Sequence, residues 1–163
     1  MLPFRRRPGF DVLLALPLTL GLVVTACSLL EPGGLDGERA ALQRARLRWE
    51  SRHVGTYSFV LYRGCECLAS GVMTVKVVNG TPVSATRPDG TPVPLEYVGA
   101  AATVPGLFQL EEDAIERNAF QFSATYDSAL GFPQAVSIDY DRNTVDDEVG
   151  YTIQSLTVAN GAT

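Results

Sequence analysis

Two stretches of this chain place reactive side chains at short, regular spacing. The first is Cys65-Glu66-Cys67. Two sulfurs one residue apart have four outlets: a small disulfide ring, a redox pair, a site for a soft ion such as Cu(I), or free thiols. In a flat strand, residues two apart face the same way near the upper limit of disulfide reach, and Gly64 supplies a bend that closes the gap. So short a ring removes little entropy from the unfolded chain. Zinc would need further ligands, and His53 is the only histidine.

The second stretch is acidic. Asp139, Asp141 and Asn143 recur at spacing two, and Asp146-Asp147-Glu148 follow. Oxygen ligands alternating along a loop suit Ca²⁺, with Asp139, Asp141, Asn143, Asp147 and Glu148 as the candidate ligands. The EF-hand pattern is not met. Thr144 stands where that loop needs Gly, and Gly150 stands where it needs its bidentate Glu. The alternative is a solvated turn in which Asp and Asn satisfy the backbone. Phe132, within Leu130-Gly131-Phe132-Pro133, is a third candidate. It either presents an aromatic tip to a partner or folds back on its own hairpin. No Gly-rich phosphate loop and no Gly-x-Ser-x-Gly elbow is present. Carboxylates are plentiful, but nothing in the spacing pairs two of them as acid and base, so no catalytic residue is predicted.

The remaining cysteine has a different context. Arg5-Arg6-Arg7 precede an apolar run from Val12 to Val24, broken by Pro17 and Thr19, and Thr25-Ala26-Cys27 follow. That run is too short and interrupted for a comfortable membrane span. A basic head, a short apolar core and a small-residue exit fit a signal peptide, and the cysteine at the exit fits a bacterial lipobox. The expectation is export, cleavage before Cys27, and attachment to the membrane through acyl chains on that residue. Ser28 follows, where an Asp would favour inner-membrane retention. The outer membrane is therefore the expected address in a bacterium with two membranes. Removing residues 1–26, with three Arg and one Asp, takes the net charge from −5 to −7. An acidic chain gains nothing from counterion release, so nucleic acid is not an expected partner. Anionic lipid would repel it, so the anchor must hold it.

The elements that position these groups follow from periodicity. Residues 27–35 read as a lipidated tether. Asp36 reads as the cap of a helix over about 37–52, with Leu42, Ala45 and Trp49 on one face. Thr56 to Tyr62 is rich in β-branched and aromatic residues and predicts a strand. Met73, Val75 and Val77 alternate with polar residues, then Asn79-Gly80 leads to Val83–Thr86, a type I′ hairpin pattern. The Pro-, Gly- and Ala-rich stretch 87–102 predicts a long loop. Thr103 caps a second helix, with Pro105 in its first turn, Leu107, Leu110, Ala114 and Ile115 inward, and Asn118 as its stop. Phe120 to Tyr126, Val136 to Tyr140 and a strand from Val149 complete the pattern, with a phase slip before Leu156 that predicts a bulge. Short connections make the sheet antiparallel. The fold class is α+β: two helices on an antiparallel sheet, an αβββ-αβββ arrangement, one domain over 36–158 and a frayed tail over 159–163.

Several of these pieces are similar to a known family. Tyr57-Ser58-Phe59, Cys65-Glu66-Cys67 and the Asn79-Gly80 hairpin resemble the first half of a bacterial family, domain of unknown function 6174. Thr103-Val104 leading to Leu107-Phe108 resembles its second helix. Tyr126-Asp127, Gly131-Phe132-Pro133, Ile138-Asp139 and Asp146-Asp147-Glu148 resemble its most distinctive stretch, with Ser128 where the pattern usually has Pro or Glu. The resemblance spans about residues 46–158. Members often look like exported lipoproteins, which agrees with the lipobox, and the resemblance implies no catalytic residue. The expected protein is a membrane-anchored, extracytoplasmic module that binds an envelope protein, glycan or small ligand, or shapes the envelope. A calcium-stabilised or calcium-sensing module is the alternative, with calcium as the one cofactor the chain suggests, and an enzyme is the third reading.

Overall fold

The computed structural model describes residues 35–159. The expected signal segment 1–26, Cys27 with its expected lipid, most of the expected tether 27–35, and residues 160–163 of the expected frayed tail lie outside the described residues.

The described chain alternates helix and sheet twice. Helix α1 (Asp36–Ser51) is followed by β1 (Tyr57–Gly64), β2 (Gly71–Val78) and β3 (Thr81–Thr86). A one-turn helix α2 (Leu95–Val98), a 3-10 turn over Gly99–Ala102 and helix α3 (Val104–Glu116) come next. Then β4 (Gln121–Tyr126), β5 (Pro133–Asp139) and β6 (Val149–Val158) close the fold. Each half is a three-stranded antiparallel meander. The two meanders join through β1 and β6, in the order β3-β2-β1-β6-β5-β4, and every pairing is antiparallel. The fold is α+β, and the expected αβββ-αβββ order holds except that α2 and a 3-10 turn precede the second long helix.

Alternation decides which face is covered. Tyr57, Phe59 and Leu61 sit opposite Val77, Val75 and Met73, and all six are buried. Phe122, Val136, Ile138, Tyr151 and Ile153 extend that layer across the second meander. Leu42, Ala45 and Trp49 of α1 and Leu107, Phe108, Ala114 and Ile115 of α3 close the same cluster. Both long helices therefore cover one face. The other face is open and polar, with Lys76, Ser123, Thr125, Ser137 and Gln154 exposed. At the first half's heart Trp49 meets Tyr57 edge-on, with ring centroids 5.2 Å apart. The Tyr57 hydroxyl accepts the Val104 N–H at 3.0 Å, tying β1 to the start of α3.

Local chemistry explains most boundaries. Asn79 and Gly80 both have positive φ, 49° and 77°, as a type I′ turn requires. Thr103 Oγ1 accepts the Gly106 N–H at 3.0 Å and caps α3. At the other end Asn118 has φ 52°, and its N–H and that of Ala119 return to the Ile115 and Ala114 carbonyls. That double return is the Schellman closure of a helix C-terminus. Val60 pairs with Ser155 but Leu61 pairs with Ile153, so Gln154 is the extra residue of the expected bulge.

Two expectations need correction. Asp36 does not cap α1: Leu35 holds the cap position, with no side-chain capping bond. Asp36 instead lies in the first turn with Glu38, where the helix dipole favours a carboxylate. Residues 87–102 are not all loop. Pro94 precedes α2, which buries Val98, and the 3-10 turn after it buries Ala101 and Ala102. Three helices stand where two were expected.

Candidate functional site

The two reactive stretches belong to different hairpins, yet they meet. The cysteine loop follows β1, and the acidic loop links β5 to β6. Because β1 pairs with β6, both loops rise at one end of the sheet. Between them lies an open cleft of about 620 Å³, lined by Tyr62, Cys65, Glu66, Ser137, Asp146 and Glu148 among others.

Register explains the space. Gly64 sits opposite Gly150, and Gly150 opposite Ser137, in one row across the open face. Two adjacent positions without side chains leave bare backbone as a floor, where a ligand can approach closely. Tyr62, one pleat away on the same face, leans over that floor. Its ring would lie 3.5 Å from a Cβ built on Gly64. Tyr62 is 44% exposed, so one face of an aromatic ring is presented to solvent.

Cys65 and Cys67 are bonded to each other, with Cα atoms 5.3 Å apart. They form a small ring on the cleft wall. Arg63, at the cleft's inner edge, is already engaged: Nη1 donates to the Tyr97 carbonyl at 2.7 Å, and its guanidinium stands 5.7 Å from the Tyr151 ring centroid.

The acidic loop does two things. Asp141 performs turn chemistry, since its Oδ1 accepts the Asn143 N–H at 3.0 Å and its Oδ2 the Thr144 hydroxyl at 3.2 Å. These bonds hold its carboxyl below the ordinary range, the Asn143 N–H contributing most. Asp147 Oδ2 accepts the Asp141 N–H at 2.9 Å. The second oxygens behave differently: Asp139 Oδ1 and Asp147 Oδ1 are buried atoms with no hydrogen-bond partner. Desolvation first, then the charges of Asp147 and Glu148, push the Asp139 carboxyl up. Among the described residues no three His, Cys, Asp or Glu side chains converge as a metal-binding group.

Phe132 is not a tip. It is 8% exposed and packs into the core, so the folded-back alternative holds and the partner-contact reading of this side chain is corrected. The turn around it explains why. Asp127 Oδ1 accepts the Ala129 and Leu130 N–H groups at 3.0 and 2.6 Å, and the Asp127 N–H bonds the Phe132 carbonyl. Gly131, at φ 88°, lies against α1, and a Cβ there would collide with the Ala45 carbonyl oxygen. His53 is exposed at φ 51° just past α1, at the opposite end of β1 from the cleft.

One group escaped the spacing argument. Glu111 of α3 is fully buried, and Tyr126 donates to its Oε2 at 2.6 Å. Its signal was present, because Glu111 falls on the stripe that carries Leu107, Phe108, Ala114 and Ile115. Being sealed, it offers no surface to a substrate.

With this geometry in place, comparison with known proteins is decisive on one point. A model of a family of unknown function, DUF6174, matches residues 41–158. The chain belongs to that family. No curated protein and no solved structure matches it. The DUF6174 match runs from within α1 to the end of β6, so it covers both meanders and both loops of the cleft. The DUF6174 stretch from Tyr126 to Pro133 is the turn that seats β4 and β5 against α1, and its residues act in structure rather than at the cleft.

Proposed function

We propose that this DUF6174 protein is an extracytoplasmic lipoprotein whose domain binds a ligand of the cell envelope in the cleft at the end of its sheet. The observation that carries the reading is convergence. Two loops from different hairpins wall an open cleft over a floor made of Gly64 and Gly150, with the Tyr62 ring leaning over the Gly64 side. A fold that needed only stability would fill such a row with β-branched side chains. Basic head, apolar core and Cys27 supply the address, and among the described residues no helix is long and apolar enough to cross a membrane. The lipid on Cys27 would then do the anchoring.

The test uses living cells. A photo-reactive amino acid at Ser137, on the cleft rim, should give a covalent adduct of defined mass after illumination. The same probe at Lys76, away from the cleft on the open face, should not. Equal adducts at both positions, or none, would remove the cleft from consideration. Cys27→Ser should lose incorporation of labelled palmitate and leave the membrane fraction.

A second reading has one observation in its favour. The buried, unpartnered oxygens of Asp139 and Asp147 are what a bound Ca²⁺ would satisfy. A calcium module should melt at lower temperature in chelator, because a ligand of the native state stabilises it by mass action. An unchanged melt, and no calcium in the native mass spectrum, would leave the loop as a turn.

A further inference from the structure

Glu111 is the only polar or charged side chain that is buried among the described residues. Three elements meet on it. From β4, Tyr126 donates to Oε2. From α1, Arg46 and Glu38 act on it through space. Its own helix contributes the adjacent Glu112. The second oxygen, Oε1, has no hydrogen-bond partner. Burial lifts the Glu111 carboxyl to about 7, against the pull of Tyr126 and Arg46, and the charge of Glu38 adds to the rise.

Arg46 is close enough to influence Glu111 yet bonds elsewhere. Its Nη2 donates to Glu112 Oε2 at 2.9 Å and to the Phe108 carbonyl at 3.1 Å. Its guanidinium stands 5.7 Å from the Phe108 ring centroid. Phe108 in turn stacks on Tyr126, with centroids 6.4 Å apart and planes 26° off parallel. Arg46, Phe108, Tyr126 and Glu111 thus form one continuous column between α1, α3 and β4.

We infer that Glu111 is a proton-operated latch on the seam between α1 and α3: neutral, it leaves Arg46 on Glu112, and ionised, it draws Arg46 inward. A neutral carboxyl exerts little pull on a guanidinium, so Arg46 rests with the half-exposed Glu112 at the rim. An ionised carboxylate with one bare oxygen in a dry site is strongly unfavourable until a cation or donor reaches it. Arg46 is the neighbouring cation, and its pair with Glu112 is only part-buried, so solvent screens that pair more than it would one inside the core. The exchange strips the Phe108 carbonyl of its donor and frees Glu112. Both line the shallow groove on the outside of the seam together with Arg46 and Trp49. Protonation at a sealed site is thereby read out as a change of shape and charge at the surface.

Nuclear magnetic resonance of the full-length chain in detergent tests the latch, following the Glu111 carboxyl carbon and the Arg46 side-chain Nε across neutral pH. The two signals should titrate together. In Glu111→Gln the Arg46 transition should vanish. In Glu112→Gln, Arg46 has lost its rim partner, so the proton affinity of Glu111 should fall about tenfold, one unit in midpoint. A Glu111 midpoint in the ordinary carboxylate range overturns the latch. So does an Arg46 signal that stays flat in the wild type or still moves in Glu111→Gln. Should Glu111→Gln fail to fold, Glu112→Gln decides: Arg46 should still move at the lowered Glu111 midpoint, whereas loss of the rim charge alone would lower that midpoint and leave the Arg46 signal flat.

Discussion

A single carboxyl at position 111 makes this domain's stability depend on pH. Its folded-state value near 7 lies above the ordinary 4.5, so the folded chain holds a proton that the unfolded chain has released. Where the native state binds more protons, stability falls as pH rises. The loss begins near 4.5, is complete above 7, and amounts to on the order of 3 kcal/mol at 1.36 kcal/mol per unit. Urea denaturation at a series of pH values should show that slope in the wild type and a much flatter line in Glu111→Gln. Tyr126→Phe separates the bond from the charge. It removes the one donor to Glu111 and should cost about 1–3 kcal/mol. The cost should be larger at pH 8 than at pH 5.5, because a hydrogen bond to an ionised acceptor is the stronger one. Equal costs at both pH values would mean that Glu111 does not titrate between them.

At the scale of elements, turns and close approaches carry the fold. Gly131 and Gly90 both have positive φ, 88° and 85°, so alanine is strained at each. They differ in their surroundings. Nothing lies within 4 Å of a Cβ on Gly90, whereas at Gly131 the Ala45 carbonyl, Arg48 and Trp49 are in the way. Gly90→Ala should therefore cost about 1–2 kcal/mol, the backbone contribution alone. Gly131→Ala should cost at least twice as much, because α1 must move; denaturant midpoints give both values. The pattern of types and periods made many elements legible: the stripe of α1, the Asn79-Gly80 turn, the Thr103 cap, and even the Gln154 bulge through the slip before Leu156. Helix α2 was not legible, because Pro94 and Gly99 bracket only the four residues Leu95–Val98, too few to show a helical period. The cleft was half legible. Its two loops declare themselves by composition, but their meeting depends on β1 pairing with β6, and local spacing says nothing about that. Glu111 could be read as a charge on an apolar stripe, while its partner Tyr126, in the next element, could not.

The whole molecule is two meanders that share one seam. Strand β1 has β2 on one side and β6 on the other, so a separated first half would expose the backbone edge of a strand built for burial. Both sides of the turn at 88–91 contribute to the one core cluster, the second side the larger share. Fragments divided at that exposed turn should each lack the far-ultraviolet signature of the folded domain. Mixed together, they should regain it. A first half that folds alone would show that the seam is a contact between two independent units.

That seam also sets an order of events in time. Tyr57 opens the first strand and Val158 ends the last, and the two are paired. The middle of the sheet therefore cannot close until nearly the whole domain has been made. Long-range pairing of this kind is slow, because loop closure comes before any contact rewards it. For a polypeptide threaded unfolded through a membrane, such a delay is an advantage. If this chain is exported as proposed above, it would stay a flexible thread throughout its passage and lock only when its final strand emerged on the far side.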